Sequence, residues 1–363
     1  FINSGSVGAG VKLGLLAAVL VVLADDFMSF FGSMGNDCAY NAWTNDCTTD
    51  KNRGQIGAAL AVQPVIGTIV GTVLGGMLIG SNDNYQRLFW VMGIFVILMG
   101  LLSLFFMRDA PTLAPYREGS FWKQFGAVFN FKKFFAQREL AMTCLTAIFF
   151  FIPFNVYFVH MGNWMIYGLG FTPDKIGLVQ GIGLILAMVL SIPGAWFINR
   201  RKMPFVGFAA VIINIVGLLF LYLTIKPQML NTAVLFSAAN IPLFTGTFLV
   251  GGGYILIAQS MVMWVKSLYP PESRGQFEGI RCISFTLIPM VIGTGIGNWV
   301  VKNGAGSITN EYGITENIPT ESIFLWAAVL LLLCFIPLAV ASKLYFKRIA
   351  GPPHDGLMEP GNG

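Results

Sequence analysis

The hexapeptide DKNRGQ at residues 50–55 has a near copy, PESRGQ, at residues 271–276. In both copies an acidic residue precedes an arginine, and Gly and Gln follow that arginine. Each copy lies between two long apolar runs of the chain. A polar phrase that recurs in this way indicates an internal duplication, because repeated membrane bundles carry matching loops at matching positions.

The composition of the chain is typical of a membrane protein. Of its 363 residues, 55% are hydrophobic and 11% are charged, whereas about 25% of the residues of a soluble domain are charged. Several apolar runs reach the roughly 20 residues that a helix needs to cross a bilayer. We therefore predict an all-α polytopic protein that passes several times through the lipid bilayer of the cell membrane.

The same sequence argues against an enzyme, a resident metal and a nucleic-acid partner. The five cysteines are scattered, and the two histidines, His160 and His354, are far apart, so no metal-ligand spacing is present. No nucleophile and base stand together within an apolar run. The net charge of +5 comes from basic loops between apolar runs. We expect no catalytic residues and no bound cofactor.

The hydrophobic runs predict nine transmembrane helices, at about residues 12–45, 56–79, 87–107, 141–168, 174–198, 204–225, 233–265, 279–301 and 322–343. If the loop that holds Arg53 is cytoplasmic, most of the 22 lysines and arginines fall on the cytoplasmic side. The positive-inside rule then places the C-terminus in the cytoplasm.

The position of the two copies defines the predicted domains. Arg274 follows four helices after the central loop, whereas Arg53 follows a single helix, so parallel repeats would leave the first half about three helices short. The nine helices would thus belong to a six-plus-six arrangement of twelve. We predict part of an N-terminal bundle at 1–107, a cytoplasmic linker with an interfacial amphipathic helix at 108–140, a six-helix bundle at 141–349 and a flexible tail at 350–363.

This arrangement, with an RG loop in each half, resembles the major facilitator superfamily. More narrowly, DCAYNAWTNDCTTDKNRGQ (37–55) and RGQFEGIRCISFTLIPMVIGTGIG (274–297) are similar to the glycoside–pentoside–hexuronide:cation symporters, the melibiose permease-like family. Where that family has a lysine in its eleventh helix, this chain has Gly295 or a near neighbour. A substrate other than melibiose is therefore expected.

The resemblance implies a secondary active transporter, acting as a monomer, that alternates between outward and inward access. It implies symport of a sugar or glycoside with a coupling ion, Na⁺ or H⁺, and it places Asp37 at a sugar-binding carboxylate. The alternative on the same fold is an exporter or carrier of a non-sugar or lipid-like solute. A cavity that Asp37 does not face would favour that alternative.

Polar residues in the first predicted span are candidates for substrate binding. A carboxylate at membrane depth is costly, so we expect Asp37 to face a cavity or to pair with another helix. Asp37 and Asn41 lie on one face of a helix because they are four residues apart, and Tyr40 is their neighbour.

The predicted span at 141–168 carries a second group of candidates, in the stretch NVYFVHMGNWMIYG. Asn155, Tyr157 and His160 offer the hydrogen-bonding groups and aromatic surface that a sugar site requires. His160 could instead take up a proton, and all three could simply lie in the interfacial belt at the outer end of the helix. Gln259 is a further candidate, with a hydrogen bond between helices as its alternative role.

Two sets of residues are predicted to take part in gating. Arg53 and Arg274, with the acidic residues Asp50 and Glu272 of the same loops, could latch neighbouring helix ends, where the helix dipole favours a cation. Glycines spaced by four indicate close helix packing, and by resemblance the two helices that carry them face each other across the halves: Gly67, Gly71 and Gly75, with Gly177 and Gly181.

Overall fold

A computed structural model describes residues 7–33, 40, 43, 47, 53–80, 85–108, 131–199, 202–269, 279–309 and 315–350. The α-helices are α1 (Val7–Ser33), α2 (Arg53–Ile79), α3 (Tyr85–Phe106), α4 (Phe131–Ala136), α5 (Arg138–Asn163), α6 (Pro173–Asn199), α7 (Met203–Thr224), α8 (Ile241–Ser267), α9 (Ile288–Lys302), α10 (Ser322–Leu331) and α11 (Phe335–Ala350). Two short antiparallel strands, β1 (Ser307–Thr309) and β2 (Thr315–Asn317), form a hairpin before α10.

Seven helical segments of the described chain are long and apolar enough to cross a membrane. They are α3, α5 with the turn that follows it, α6, α7, α8 with the turn before it, Gly279–Lys302 and Ser322–Ala350. These segments confirm the predicted multi-pass helical protein, whereas the count of nine helices in twelve stays a prediction. The first helix differs in its bounds, since α1 begins at Val7 and is described to Ser33.

The chain forms two compact units, residues 1–63 with 94–118 and residues 64–93 with 119–363. In the first unit, the indole nitrogen of Trp43 donates a hydrogen bond of 2.8 Å to the carbonyl oxygen of Arg108. The second unit contains α4 to α11, together with the part of α2 from residue 64 and the part of α3 up to residue 93. The predicted domain boundaries, including the linker at 108–140, stay predictions, and within that linker the short helix α4 is described.

In the second unit, α8 packs against α6 and α7, and α5 packs against α9, α10 and α11. Glycines allow the backbones of α7 and α8 to approach closely. A β-carbon on Gly217 of α7 would lie 2.8 Å from the amide nitrogen of Val250, and one on Gly253 of α8 would lie 2.9 Å from the carbonyl oxygen of Ala210. Such approach maximises van der Waals contact, which is the main force that joins helices in lipid.

A buried amide spans the same pair of helices. Asn214 of α7 is 1% exposed, and its amide nitrogen donates a hydrogen bond of 2.9 Å to the carbonyl oxygen of Val250. A buried polar side chain is costly unless it is hydrogen-bonded. This contact therefore fixes the register of α7 against α8.

One end of the second unit, where α5 begins and α11 ends, is joined by a charged cluster that we call the Glu139 end. The carboxylate of Glu139 accepts hydrogen bonds of 2.8 and 3.0 Å from the guanidinium of Arg348. It also accepts one of 2.8 Å from the indole nitrogen of Trp264 on α8. Tyr345 packs against both Trp264 and Arg348, so a single carboxylate connects α5, α8 and α11.

The opposite end, where α5 is followed by Gly170 and α6 begins, is held by loop contacts, and we call it the Gly170 end. The ammonium group of Lys175 at the start of α6 donates to the carbonyl oxygens of Thr232 and Ala233. The buried amide of Asn240 donates to three carbonyl groups of the loop before α8, including that of Leu235 at 2.9 Å. This end is therefore closed by neutral acceptors.

Two helices contain π-turns, which hold one extra residue per turn. One, Trp164–Gly168, follows α5 at the Gly170 end, and the other, Ile283–Leu287, precedes α9 near the Glu139 end. Gly170 itself has φ of +76°, a conformation that favours glycine. It allows the chain to reverse from α5 into α6.

We predict that Glu139→Gln destabilises the second unit. The substitution removes a charged acceptor that is 12% exposed and that two other helices contact. Because Arg348 is 35% exposed, we expect a loss of about 1–2 kcal/mol rather than the larger cost of a buried pair. Thermal unfolding of the purified protein in detergent measures this change.

The matched control is Glu321→Gln, since Glu321 is exposed and lies at the other end of the unit. Arg348→Lys keeps the positive charge but loses the bidentate hydrogen bond to Glu139. We therefore expect the melting temperature of this variant to lie between those of the wild type and Glu139→Gln. Equal melting temperatures for all four proteins would show that the cluster contributes nothing to stability.

Candidate functional site

Several of the predicted site residues lie outside the described residues: Asp37, Asn41, Asp50, Glu272 and Arg274. Arg53 is the first residue of α2. The roles predicted for these six residues therefore stay predictions. The described candidates are Tyr40 in the first unit and Asn155, Tyr157, His160 and Gln259 in the second.

Tyr40 lies in a small aromatic and polar cluster of the first unit. Its hydroxyl donates a hydrogen bond of 3.3 Å to the side-chain oxygen of Gln63. Its ring stacks on that of Trp43, with 6.0 Å between the ring centroids. The hydroxyl thus has a partner, and a ligand that used it would have to share or replace Gln63.

Asn155 packs against α9 in the second unit. Its amide nitrogen donates to the carbonyl oxygen of Phe151 at 2.8 Å, within the same helix. A β-carbon on Gly293 would lie 2.7 Å from Cβ of Asn155. The Asn155 side chain is therefore half-buried between α5 and α9, with its amide nitrogen already bonded.

Tyr157 points into the interior of the second unit. The residue is 1% exposed, and its ring lies 6.2 Å from that of Phe324 on α10. Its hydroxyl lies near the Asn214 side chain of α7 but forms no hydrogen bond with a described residue. Tyr157 thus has a buried polar atom with an unused hydrogen-bonding capacity.

His160 lies one turn further along α5 and faces α9. The residue is 8% exposed, and its Nε2 atom is buried without a hydrogen-bond partner in the described part of the chain. A β-carbon on Gly297 would lie 2.9 Å from this nitrogen. Any larger residue at position 297 would displace the imidazole ring.

Gln259 lies apart from Asn155, Tyr157 and His160. Its side-chain oxygen is buried between α8 and α6, near Gly194, and it has no partner among the described groups. The Tyr157 hydroxyl lies near Asn214, and Asn214 donates to the carbonyl oxygen of Val250 on α8. Val250 is therefore the residue of α8 at about the same depth as Tyr157. Gln259 lies nine residues further along the helix, which is about 13 Å at 1.5 Å per residue.

Tyr157 and His160, which we call the α5 stripe, are bordered by an aromatic cluster that the sequence analysis did not identify. Phe154 stacks on Tyr254 of α8 with 4.5 Å between ring centroids, and Phe151 contacts Tyr254 and Phe285 at 6.2 and 5.5 Å. The guanidinium of Arg281 lies 5.6 Å from the Phe285 ring centroid. The run FFFIPFNVYF, with phenylalanines on the same face as Tyr157, is the signal that could have indicated it.

Close contact between α2 and α6, both in the second unit at this point, occurs at Gly76 and Gly177. A β-carbon on Gly76 would lie 2.6 Å from the carbonyl oxygen of Pro173, and one on Gly177 would lie 2.6 Å from that of Thr72. The predicted contact between these helices is therefore present. The close packing predicted at Gly67, Gly71 and Gly75 was wrong in its residues, because Gly67 and Gly71 have no described neighbour within 4 Å and the described neighbour of Gly75 is the Leu88 side chain.

Comparison with known proteins identifies the family. Residues 5–239 match the family model described as Major Facilitator Superfamily. This match covers more than half of the chain and extends from α1 through α7. The search of curated proteins gave no match. The family match and the seven apolar segments agree in architecture. The chain therefore belongs to the major facilitator superfamily, and it is a multi-pass membrane transporter.

Proposed function

We propose that this transporter carries a sugar or glycoside in symport with Na⁺ or H⁺ by alternating access. The observation that supports this substrate class best is the stripe on α5. Two of its polar groups, the Tyr157 hydroxyl and His160 Nε2, are buried without a partner among the described residues. Because such a group typically costs about 1–3 kcal/mol, a ligand or a second conformation that pairs it would be favoured.

The surroundings of the stripe suit a sugar. A pyranose ring has one face of C–H groups that packs on aromatic rings and a rim of hydroxyls that both donate and accept. Phe154 and Tyr254 supply stacked aromatic surface beside Tyr157. We propose that Asp37, Tyr40 and Asn41 also bind the sugar, with the carboxylate of Asp37 accepting hydrogen bonds from sugar hydroxyls.

Alternating access requires a contact that opens and closes. We propose that the close approach of Gly76 and Gly177 is such a contact at the Gly170 end, which would be the outer end if the C-terminus is cytoplasmic. We further propose that Arg53 and Arg274, with Asp50 and Glu272 of the same loops, latch neighbouring helix ends at the inner side. A cation gradient then drives the cycle, because the coupling ion binds the outward-facing and inward-facing states with different affinity.

A carrier of a non-sugar or lipid-like solute is the second candidate. It is favoured by the amount of apolar aromatic surface near the stripe, since Phe158 is 52% exposed and stacks on Phe154. An apolar solute would use this surface and would not require the Tyr157 hydroxyl. The uptake measurements described below distinguish a sugar from an apolar solute.

Uptake of labelled glycosides into proteoliposomes, with Na⁺ and pH gradients imposed separately, tests the proposal. We expect gradient-driven uptake of at least one glycoside, and Asp37→Asn should reduce it because the amide accepts fewer hydrogen bonds from sugar hydroxyls. Glu321→Gln serves as the control, since Glu321 is exposed at the end of a helix. Full uptake by Asp37→Asn would remove the carboxylate from the proposed site.

Tyr157→Phe should separate stability from transport. The substitution deletes a buried hydroxyl that has no described partner, so we expect the protein to be equally stable or more stable by about 1 kcal/mol. Transport of a sugar should nevertheless fall several-fold if the hydroxyl contacts it. Thermal unfolding and uptake are measured on the same preparation. Unchanged uptake would favour the apolar solute.

Gly177→Val should impair the cycle at the Gly170 end. The added side chain would overlap the carbonyl oxygen of Thr72, and overpacking of this kind costs about 1–3 kcal/mol. That cost would shift the balance of states by roughly 5–150-fold. Gly67→Val is the matched control, because no described neighbour lies within 4 Å of Gly67. Equal uptake by the two variants would contradict a gating role for this contact.

A further inference from the structure

A shallow groove lies on the surface of the second unit between α5 and the helical segment that contains α11. It is lined by apolar side chains, with a volume of about 210 Å³, below the roughly 300–1,000 Å³ of pockets that enclose small-molecule ligands. Three lining residues come from α5, namely Met142, Leu145 and Phe149, and four come from the segment that contains α11, namely Leu333, Ile336, Pro337 and Val340. Because this lining is apolar, the groove suits a hydrocarbon chain.

The groove faces away from the core of the unit. Leu333, Ile336 and Val340 are 45, 66 and 42% exposed. In a helix that spans a bilayer, such side chains meet lipid tails. Each wall covers eight residues, 142–149 and 333–340, whose ends lie about 10 Å apart along a helix. The groove thus matches the part of an acyl chain nearest its headgroup in length and in polarity.

Basic residues continue the two walls of the groove toward the Glu139 end. Arg138 is seven residues before Leu145, Lys343 is seven after Ile336 and Lys347 is seven after Val340. Residues seven apart lie within about 20° of each other around a helix. All three basic residues are exposed, so each helix presents a cation in line with its apolar wall.

These positive charges are not neutralised by the protein within the described residues. The acidic side chain described at this end is that of Glu139, and it is bonded to Arg348 and Trp264. Arg138, Lys343 and Lys347 form no ion pair with a described residue. A binding partner here would therefore combine an anionic group with a long apolar chain.

The level of these residues in the membrane agrees with a headgroup. Arg138 is the first residue of α5, and it is preceded by α4, on which Phe135 is 66% exposed. Exposed aromatic and basic residues together are typical of the membrane–water interface. Met142 is four positions after Arg138, which is about 6 Å of helix and is short enough for one lipid to contact both.

We infer that this groove binds an anionic phospholipid, whose acyl chain lies between α5 and the segment with α11 and whose phosphate contacts Arg138, Lys343 and Lys347. Basic pockets between transmembrane helices are suited to anionic headgroups. The inference does not depend on the transported solute. It rests on the juxtaposition of an apolar groove with three cations on the same helix faces.

The test is a lipid titration of the purified full chain in detergent, with bound lipids counted by native mass spectrometry. Dioleoyl phosphatidylglycerol and dioleoyl phosphatidylcholine are added in separate arms, which differ in headgroup charge. We expect the wild type to retain phosphatidylglycerol preferentially. Replacing Arg138, Lys343 and Lys347 by Gln should weaken that preference by about fivefold for each residue.

Two further variants sharpen the result. Val340→Phe, which fills the exposed groove, should lower retention of both lipids. Lys202→Gln with Lys266→Gln removes exposed basic residues outside the groove and should leave retention unchanged. The inference is overturned if the wild type retains both lipids equally, if the control pair costs as much as the groove variants, or if a second copy of the chain occupies the groove as a dimer.

Discussion

Lipid tails are as apolar as leucine, so the hydrophobic effect does not draw membrane helices together once they have been inserted. Helix association must come from close contact and from hydrogen bonds. In the second unit, α8 satisfies both requirements, because Gly253 brings its backbone against α7 and the carbonyl oxygen of Val250 accepts a hydrogen bond from Asn214. The packing of α6 and α7 around this helix follows from that approach.

The two ends of the second unit are closed by different chemistry. At the Glu139 end a carboxylate accepts hydrogen bonds from a guanidinium group and an indole nitrogen on two other helices. At the Gly170 end Lys175 and Asn240 bind backbone carbonyl groups. Between them, Tyr157 and His160 keep polar atoms that no described group uses. Transporters tolerate such groups where another state or a ligand can pair them.

Composition and the length of the apolar runs were sufficient to predict a multi-pass helical protein, and the resemblance of residues 37–55 and 274–297 to known transporters indicated the superfamily. The sequence alone did not predict contacts that depend on the register of one helix against another. The contact with Gly177 is made by Gly76 rather than by Gly75, because a shift of one residue rotates a helix face by about 100°. The pairing of Glu139 with Arg348 spans 209 residues, and no local pattern could have indicated it.

The π-turn Ile283–Leu287 has a geometric consequence for the helix that follows it. Phe285 contacts Phe151, and Gly293 contacts Ile152 and Asn155, so both face α5 although they are eight residues apart. In an uninterrupted α-helix that spacing would separate them by about 80°. The wider turn takes up much of this difference. Deletion of one residue at this turn would rotate Phe285 away from Phe151 of α5, so the length of this turn determines whether the aromatic cluster forms.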